Sequence, residues 1–444
     1  MQIEIIRTEG LGDSTYVLTH DGLAVVVDPQ QDIDRFQDVL NDSGAELRYV
    51  LETHLHNDYI SGGRDLAKAL DGELVLPSGA APVFRHRPAF HNEDLNGGSL
   101  TVRPIHTPGH TPEHMSYLIL IDDEALALFT GGSLLVGSAG RSDLLGLDRA
   151  DTLARLQYGS VNRLAELGDD VGLYPTHGAG SFCTTSGVSN LTSTIGEERA
   201  TNQVLAYPSE DSFVEGQLSG LVPYPSYYAE MGPANVSGRD AVTSFTTPQI
   251  SATDLAAMRP GVSVVDARPK GEFAAGHLAG SFAVEMRNDF STWVGWVLPF
   301  NTPLVLVMSP DQDTEEALRQ LSRIGFDDVR GVITDLGAWE TEMSGYPLVN
   351  QDDFTSAVRS GAQILDVRAP NERETGFIAD SSYSYVPDIA VEIPDGLKKD
   401  RPLWVACETG YRANLAASIL EAEGFDLRVL AGSGVTDVIA HLSN

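Results

Sequence analysis

The chain has 444 residues, about three times a typical single-domain length, so two or three domains are expected. Its 63 acidic and 29 basic side chains give a formal net charge of −34, which repels phosphate backbones and anionic lipid and argues against nucleic-acid or membrane partners. No apolar run approaches the ~18 residues of a membrane span, and the opening MQIEIIRTEGLGDSTYVL enters an alternating strand pattern with no basic leader, so a cytoplasmic address is expected.

Residues 1 to about 200 read as short apolar strands separated by Gly, Pro, Asn and Asp turns, with helical stretches such as Asp32 to Ser43 and Asp151 to Leu167 between them. This is a layered α/β pattern. After the strand LRYVLE comes Thr53-His54-Leu55-His56-Asn57-Asp58-Tyr59, and two imidazoles at i and i+2 on a strand-end loop can converge on one metal ion. His110 and His114 follow in Thr107-Pro108-Gly109-His110-Thr111-Pro112-Glu113-His114, and His177 in Tyr174-Pro175-Thr176-His177-Gly178. Three histidine loops in this order, each after a turn signal, point to a metal centre.

The segments GLGDSTYVL, HTPGHTPEH, LFTGGSLLVGSAGRSDLLG, PTHGAGSFC and STIGEERATN resemble, in order, the metallo-β-lactamase fold and more closely its persulfide dioxygenase branch, over Met1 to Asn202. The resemblance implies an αββα sandwich holding one Fe(II) per chain. Its ligands would be the first histidine of H-x-H-x-D, the Pro-Gly-His histidine and an aspartate of an F-T-G-D segment. His54 and His110 fill the first two positions. The third reads Phe129-Thr130-Gly131-Gly132-Ser133, so Gly132 stands where the aspartate belongs, and the familiar D-H pair is Asp58-Tyr59. A dinuclear hydrolase needs both missing groups, so hydroxyacylglutathione hydrolase and β-lactamase activities are not expected. Three arrangements stay open: His54 and His110 with water or substrate completing the ion's shell, His56 joining them in an all-histidine site, or a domain without metal. By the same resemblance Asp58, His114 and His177 are expected beside the ligands rather than among them. Cys183, in GAGSFCTT, reads as a packed small hydrophobe rather than a redox thiol.

From about Asn202 to Thr247 the chain is rich in Pro, Gly, Ser and Tyr, which marks either a linker or an extension crossing the first domain. Tyr227, Tyr228 and Asn235 lie in it, as cleft-lining or as packing residues. Beyond Pro248 comes an internal repeat: GVSVVDARPKGEFAAGHLAGS from Gly261 is echoed by GAQILDVRAPNERETGFIADS from Gly361, and TPLVLVM by RPLWVAC, at an offset of 99 to 100 residues. Each copy alternates buried-looking strands with amphipathic helices, a small α/β domain with a parallel sheet used twice.

In the second copy the apolar strand Leu403 to Ala406 runs into Cys407-Glu408-Thr409-Gly410-Tyr411-Arg412 and then a helix. A cysteine at this turn faces the amide-rich, positive end of the helix, which stabilises a thiolate. Gly410 lets the loop curl into an anion nest, and Arg412 adds a fixed cation. The pattern Cys-x-x-Gly-x-Arg resembles the active loop of rhodanese sulfurtransferases, and the resemblance extends over both copies, including Asp266-Ala267-Arg268 and Asp366-Val367-Arg368, read as charge pairs bracing the loop. It implies that Cys407 carries sulfane sulfur as a persulfide, with Glu408, Thr409 and Tyr411 completing the loop. In the first copy Met308 replaces the cysteine and Asp313 the arginine, so that module is expected to be silent, with a packing or docking role.

The whole chain therefore resembles a persulfide dioxygenase-rhodanese fusion: residues 1–247 the metallo-β-lactamase-fold domain with its extension, 248–348 a silent rhodanese-like domain, 349–444 an active one. The function expected is sulfane-sulfur metabolism, with a low-molecular-weight thiol or thiol persulfide, thiosulfate or sulfite as small-molecule partners and a homodimer or homotetramer as assembly. Two alternatives are a sulfurtransferase on a metal-free N-terminal scaffold and a persulfide carrier or sensor.

Overall fold

The structure is a computed structural model and describes residues 1–184, 188–219, 221–240, 242, 244–337 and 343–443. It divides into two compact units, Met1–Ser244 with Ser322–Gly325, and Phe245–Leu321 with Phe326–Asn444. No helix among the described residues is long and apolar enough to cross a membrane.

Two six-stranded sheets build the first unit. The first runs β1 (Gln2–Thr8), β2 (Asp13–His20), β3 (Leu23–Val27), β4 (Glu46–Leu51), β5 (Glu73–Pro77) and β6 (Arg87–Ala89) in sequence order. Its opening strands form antiparallel hairpins, and β3 to β6 then lie parallel. The second contains β7 (Leu95–Gly97), β8 (Leu100–His106), β9 (Met115–Ile121), β10 (Glu124–Gly131), β13 (Gly172–Pro175) and β14 (Ser193–Thr194), with a short hairpin of β11 (Leu134–Leu135) and β12 (Ser138–Ala139) beside it.

Strand β8 alternates buried and half-buried residues, the period-two pattern of a sheet face. Tyr16, Val25, Val27, Tyr49 and Leu51 from one sheet meet Val102, Tyr117, Ile119 and Phe129 from the other in a common core. On the outer faces, α1 (Asp34–Ser43) and α2 (Gly63–Ala69) cover Val17, Val26 and Val50, while α3 (Leu147–Leu164) covers Leu118, Leu120 and Leu128. In α3 the buried Ala150, Leu153, Ala154, Gln157, Val161 and Leu164 recur at three- and four-residue spacing, the stripe of a helix lying on a sheet. The layer order is α/β/β/α, as the sequence implies. Within the described part of the extension a helix spans Tyr228–Ser237 and packs within this unit.

Both repeats lie in the second unit, except for Ser322–Gly325 of the first repeat. In the first copy Phe282–Ala283, Ser263–Asp266, Leu304–Val307 and Val329–Ile333 form a parallel sheet, with Gln249 bridging Val332 at its edge. In the second copy Ser382–Tyr383, Gln363–Asp366, Leu403–Ala406 and Leu427–Leu430 repeat that order, with Leu348–Val349 at the edge. The copies are joined by buried groups. His277, which shows no partner in the sequence, bonds Glu421 at 2.6 Å and stacks on Phe273, and Ala283 N donates to Ser418 Oγ at 3.0 Å. Trp293 and Trp296 of the first copy meet Tyr411 and Tyr385 of the second edge-on.

Phe129 sits at the centre of the inter-sheet core, 5.2 Å from Tyr16 and 5.5 Å from Tyr174 between ring centroids. Phe129→Ala is expected to cost about 3–5 kcal/mol, read as a lowered unfolding temperature of the first unit. A cost under about 1 kcal/mol would contradict this packing.

Candidate metal centre and persulfide loop

Every metal-centre loop leaves the same edge of the sandwich. Asp28 follows β3, Thr53 and His54 follow β4, Thr107 to His110 follow β8, Gly132 follows β10, and Thr176 and His177 follow β13. The Asp28 carboxylate is fully buried and ties two of these loops together. It accepts Thr53 N and Thr53 Oγ1, each at 2.7 Å, and the hydroxyl of Thr176. Burial would raise this carboxyl, but His56 and the hydrogen-bond donors outweigh it and hold it below the usual carboxylate range.

His54, His110 and His177 bring donor atoms within 4.8 Å of one another, all buried. His110 Nδ1 lies 2.7 Å from Arg141 O, which can only accept, so Nδ1 carries the proton and Nε2 presents a lone pair. That Nε2 is buried with no hydrogen-bond partner. Thr53 Oγ1 spends its proton on Asp28 and therefore accepts from His54 Nδ1 at 2.9 Å, leaving His54 Nε2 bare. His177 Nδ1 faces Asp13 Oδ1 at 2.8 Å, and its Nε2 lies 3.3 Å from His54 Nε2. Burial, reinforced by the neighbouring rings, holds His54 and His110 well below the ordinary histidine range, and burial lowers His177 as well. Three neutral imidazoles thus point unprotonated nitrogens at one spot, a donor set that fits a divalent ion.

The other candidate residues are placed differently. His56, a candidate for an all-histidine set in one of the three arrangements left open, turns Nε2 toward Asp28 Oδ1 (3.2 Å), Glu52 Oε2 (3.3 Å) and Tyr59 OH (3.0 Å). Burial opposes its charge, yet Asp28 and Glu52 outweigh burial and raise it well above the ordinary value, making it the cation of an acidic pocket. His56, Asp58 and His177 form another cluster, but there His177 faces Asp58 through Nδ1, the nitrogen already bonded to Asp13. A further cluster, Asp28, Glu52 and His56, is spent on Thr53, Thr176, Ser61 and Tyr59. His114 accepts Gly132 N on Nε2 at 3.0 Å and props that turn. Burial pushes Asp13 and Asp58 up to about 7.

Gly132 is closed to a side chain. A Cβ built there would lie 2.2 Å from His110 Cδ2, so the aspartate that the sequence resemblance leads one to expect has no room while His110 keeps this position. Cys183 is fully buried, its Sγ 3.5 Å from Asp58 Oδ2, and burial raises its thiol well above the ordinary range. Asn235 donates to His56 O and Tyr59 O, both at 2.9 Å, and accepts Ser61 N, so this part of the extension braces the H-x-H loop. Sequence reasoning passed over Asp28, Asp13, Glu52 and Arg141. Asp28 had one signal, an aspartate ending the strand LAVVV, but Asp-Pro also reads as a plain turn. Arg141 is buried, pairs with Asp143, and bonds Phe182 O and Val222 O, fastening the extension beside His110.

In the second unit Cys407 stands between the strand Leu403–Ala406 and the helix Tyr411–Ala422. Its Sγ accepts Gly410 N at 3.2 Å and Ala413 N at 3.4 Å, the curled loop expected for an anion nest. Gly410 has φ +83°, and a Cβ there would meet Leu430 O at 2.9 Å, so a glycine is required. Arg368 pairs with Asp366 and reaches Glu408 Oε1 at 2.8 Å, bracing the loop from behind. Thr409 is exposed and Tyr411 is buried against Trp293. Cys407 itself is 0% exposed, and the Arg412 guanidinium pairs with both carboxylate oxygens of Glu372. The cation expected to hold an anionic donor is thus neutralised in this conformation. In the first copy the buried Met308 follows the strand, and Asp313, at the position matching Arg412, caps the next helix by accepting Glu316 N.

Residues 8–177 match the metallo-beta-lactamase superfamily, and residues 251–342 and 350–435 each match the rhodanese-like domain. A metallo-beta-lactamase from Staphylococcus aureus superposes with a TM-score of 0.68 at 25% identity, covering 75% of this chain and 99% of that one. Among curated proteins, an atrochrysone carboxyl ACP thioesterase from Aspergillus terreus is 29% identical over 178 residues, which is 38% of this chain and 50% of that protein. A hydroxyacylglutathione hydrolase-like protein from Mus musculus is 38% identical over 109 residues, 24% of this chain and 38% of its own length. The chain thus spans half or less of the length of these two curated relatives.

Breaking the pair over the loop should release Arg412. Glu372→Gln is expected to lower the KM for thiosulfate in a sulfurtransferase assay with little change in kcat; an unchanged or higher KM would mean that Arg412 does not bind the donor.

Proposed function

From a metallo-β-lactamase fold followed by two rhodanese-like modules, we propose an enzyme of sulfane-sulfur metabolism in which Cys407 transfers sulfur and the N-terminal domain oxidises a low-molecular-weight thiol persulfide. The observation that carries this reading is the Cys407 sulfur itself, held by two helix-start amides in a curled loop. Those amides stabilise negative charge on Sγ, and the helix dipole adds to them. A donor such as thiosulfate gives up its outer sulfur to the Cys407 thiolate, and sulfite leaves. An acceptor thiolate or sulfite then attacks the outer sulfur of the persulfide and restores the thiolate. With Sγ covered, each transfer requires the side chains over the loop to part, and the Arg412–Glu372 pair is the electrostatic latch beside it.

In the N-terminal domain His54 and His110 are the proposed protein ligands for one Fe(II), which when bound supplies the redox chemistry toward dioxygen that the domain's side chains lack. The net conversion is one thiol persulfide, one dioxygen and one water to thiol, sulfite and two protons. Asp13 and Asp58 face His177 Nδ1 at 2.8 and 3.4 Å and orient its ring. The chemistry of the two halves is complementary, because the sulfite that one releases is an acceptor for the other, giving thiosulfate. The first module, with Met308 in place of the nucleophile, serves as packing for the second.

Two assays test this reading. Cys407→Ser is expected to abolish thiosulfate-to-thiol sulfur transfer while leaving oxygen uptake on a thiol persulfide by iron-loaded protein. Residual sulfur transfer above about a thousandth of the wild-type rate, or no oxygen uptake by iron-loaded wild-type protein, would remove the corresponding half.

A further inference from the structure

Resting on the proposed iron-dependent reading of the N-terminal domain, we infer that His177 is the third metal ligand, so that the ion is held by His54, His110 and His177 with no carboxylate. The geometry argues this in three steps. First, the hydrogen bonds that fix the distal nitrogens of His54 and His110 leave both Nε2 atoms as lone pairs, and His177 Nδ1–H on Asp13 does the same for the third ring. Second, His54 Nε2 and His177 Nε2 then face each other lone pair to lone pair at 3.3 Å, while His110 Nε2 is buried without a partner. Such an arrangement is repulsive by itself and becomes favourable with a cation among the three nitrogens. Third, the position from which a carboxylate would reach the ion is filled by the His110 ring, 2.2 Å from a Cβ at Gly132.

His56 stands outside this set, because its Nε2 is engaged by Asp28, Glu52 and Tyr59 and its buried Nδ1 faces Asp58 at 4.0 Å. The consequence is a difference in net charge. Three neutral imidazoles around a divalent ion leave two positive charges at the site, one more than a ligand set that includes a carboxylate. A thiol persulfide bound there as its anion is therefore favoured electrostatically over a neutral ligand.

The test uses Co(II) as probe on the full-length protein, with binding measured by titration of its visible spectrum and by metal analysis after desalting. Wild-type protein is expected to take up one Co(II) per chain, and His177→Ala to bind it more than about 100-fold more weakly, beyond the 10–100-fold lost with an outer partner. Gly132→Asp is expected to weaken binding by displacing His110. Should His177→Ala fail to fold, pulsed EPR of Cu(II)-loaded wild-type protein counts coordinated imidazoles without any variant, with three expected. Retention of Co(II) by His177→Ala together with loss in His54→Ala, tighter binding by Gly132→Asp, or two imidazoles on Cu(II) would overturn the third-ligand assignment alone. No Co(II) or Cu(II) uptake by wild-type protein would instead overturn the metal-dependent reading on which it rests.

Discussion

The candidate metal centre depends on one buried carboxylate. Asp28 ends a strand of the first sheet and takes hydrogen bonds from Thr53 of the neighbouring strand end and from Thr176 of the second sheet, each the residue directly before a histidine of the cluster. It therefore sets the relative position of His54 and His177 across the sandwich. Taking a carboxylate out of water costs several kcal/mol, and here the cost is offset by charge-assisted bonds and by the facing His56 ring. With any one of those donors missing, a charge would be left under-satisfied beneath the site, which makes this floor stiff.

The same floor sorts the histidines by charge. Burial holds His54, His110 and His177 neutral, while Asp28 and Glu52 overcome burial and keep His56 charged. Neutral rings can donate to a metal and a charged ring cannot, so identical side chains a few ångströms apart take different roles. The two cysteines divide in a similar way. Cys183 lies against the Asp58 carboxylate and its thiol is raised well above the ordinary range by burial, whereas Cys407 receives two backbone amides at the start of a helix. Both sulfurs are buried, so environment rather than exposure separates the inert thiol from the proposed nucleophile.

What could be read in the sequence was whatever local spacing encodes. Histidines after strand ends, the Cys407 loop and its counterpart at Met308 are short-range patterns, the 99- to 100-residue repeat is self-similarity along the chain, and the fold has them in the expected elements. What could not be read depends on contacts between distant segments. His177 groups with His54 and His110 because the fold brings together loops that are far apart in the chain, while His56, two residues from His54, is drawn away by Asp28 and Glu52. The closure of Gly132 is set by where the His110 ring lies, and the neutralising of Arg412 by a glutamate forty residues earlier. Spacing carried no trace of either.

Three neutral nitrogens form the proposed metal site, those of His54 and His177 positioned through the two loops that Asp28 ties and that of His110 through Arg141 O. Anomalous diffraction at the iron edge, from crystals loaded with Fe(II) without oxygen, tests it directly. The expected result is a single peak among His54, His110 and His177. A peak at the Asp28, Glu52 and His56 cluster, or at Asp58 and His56, would contradict the account.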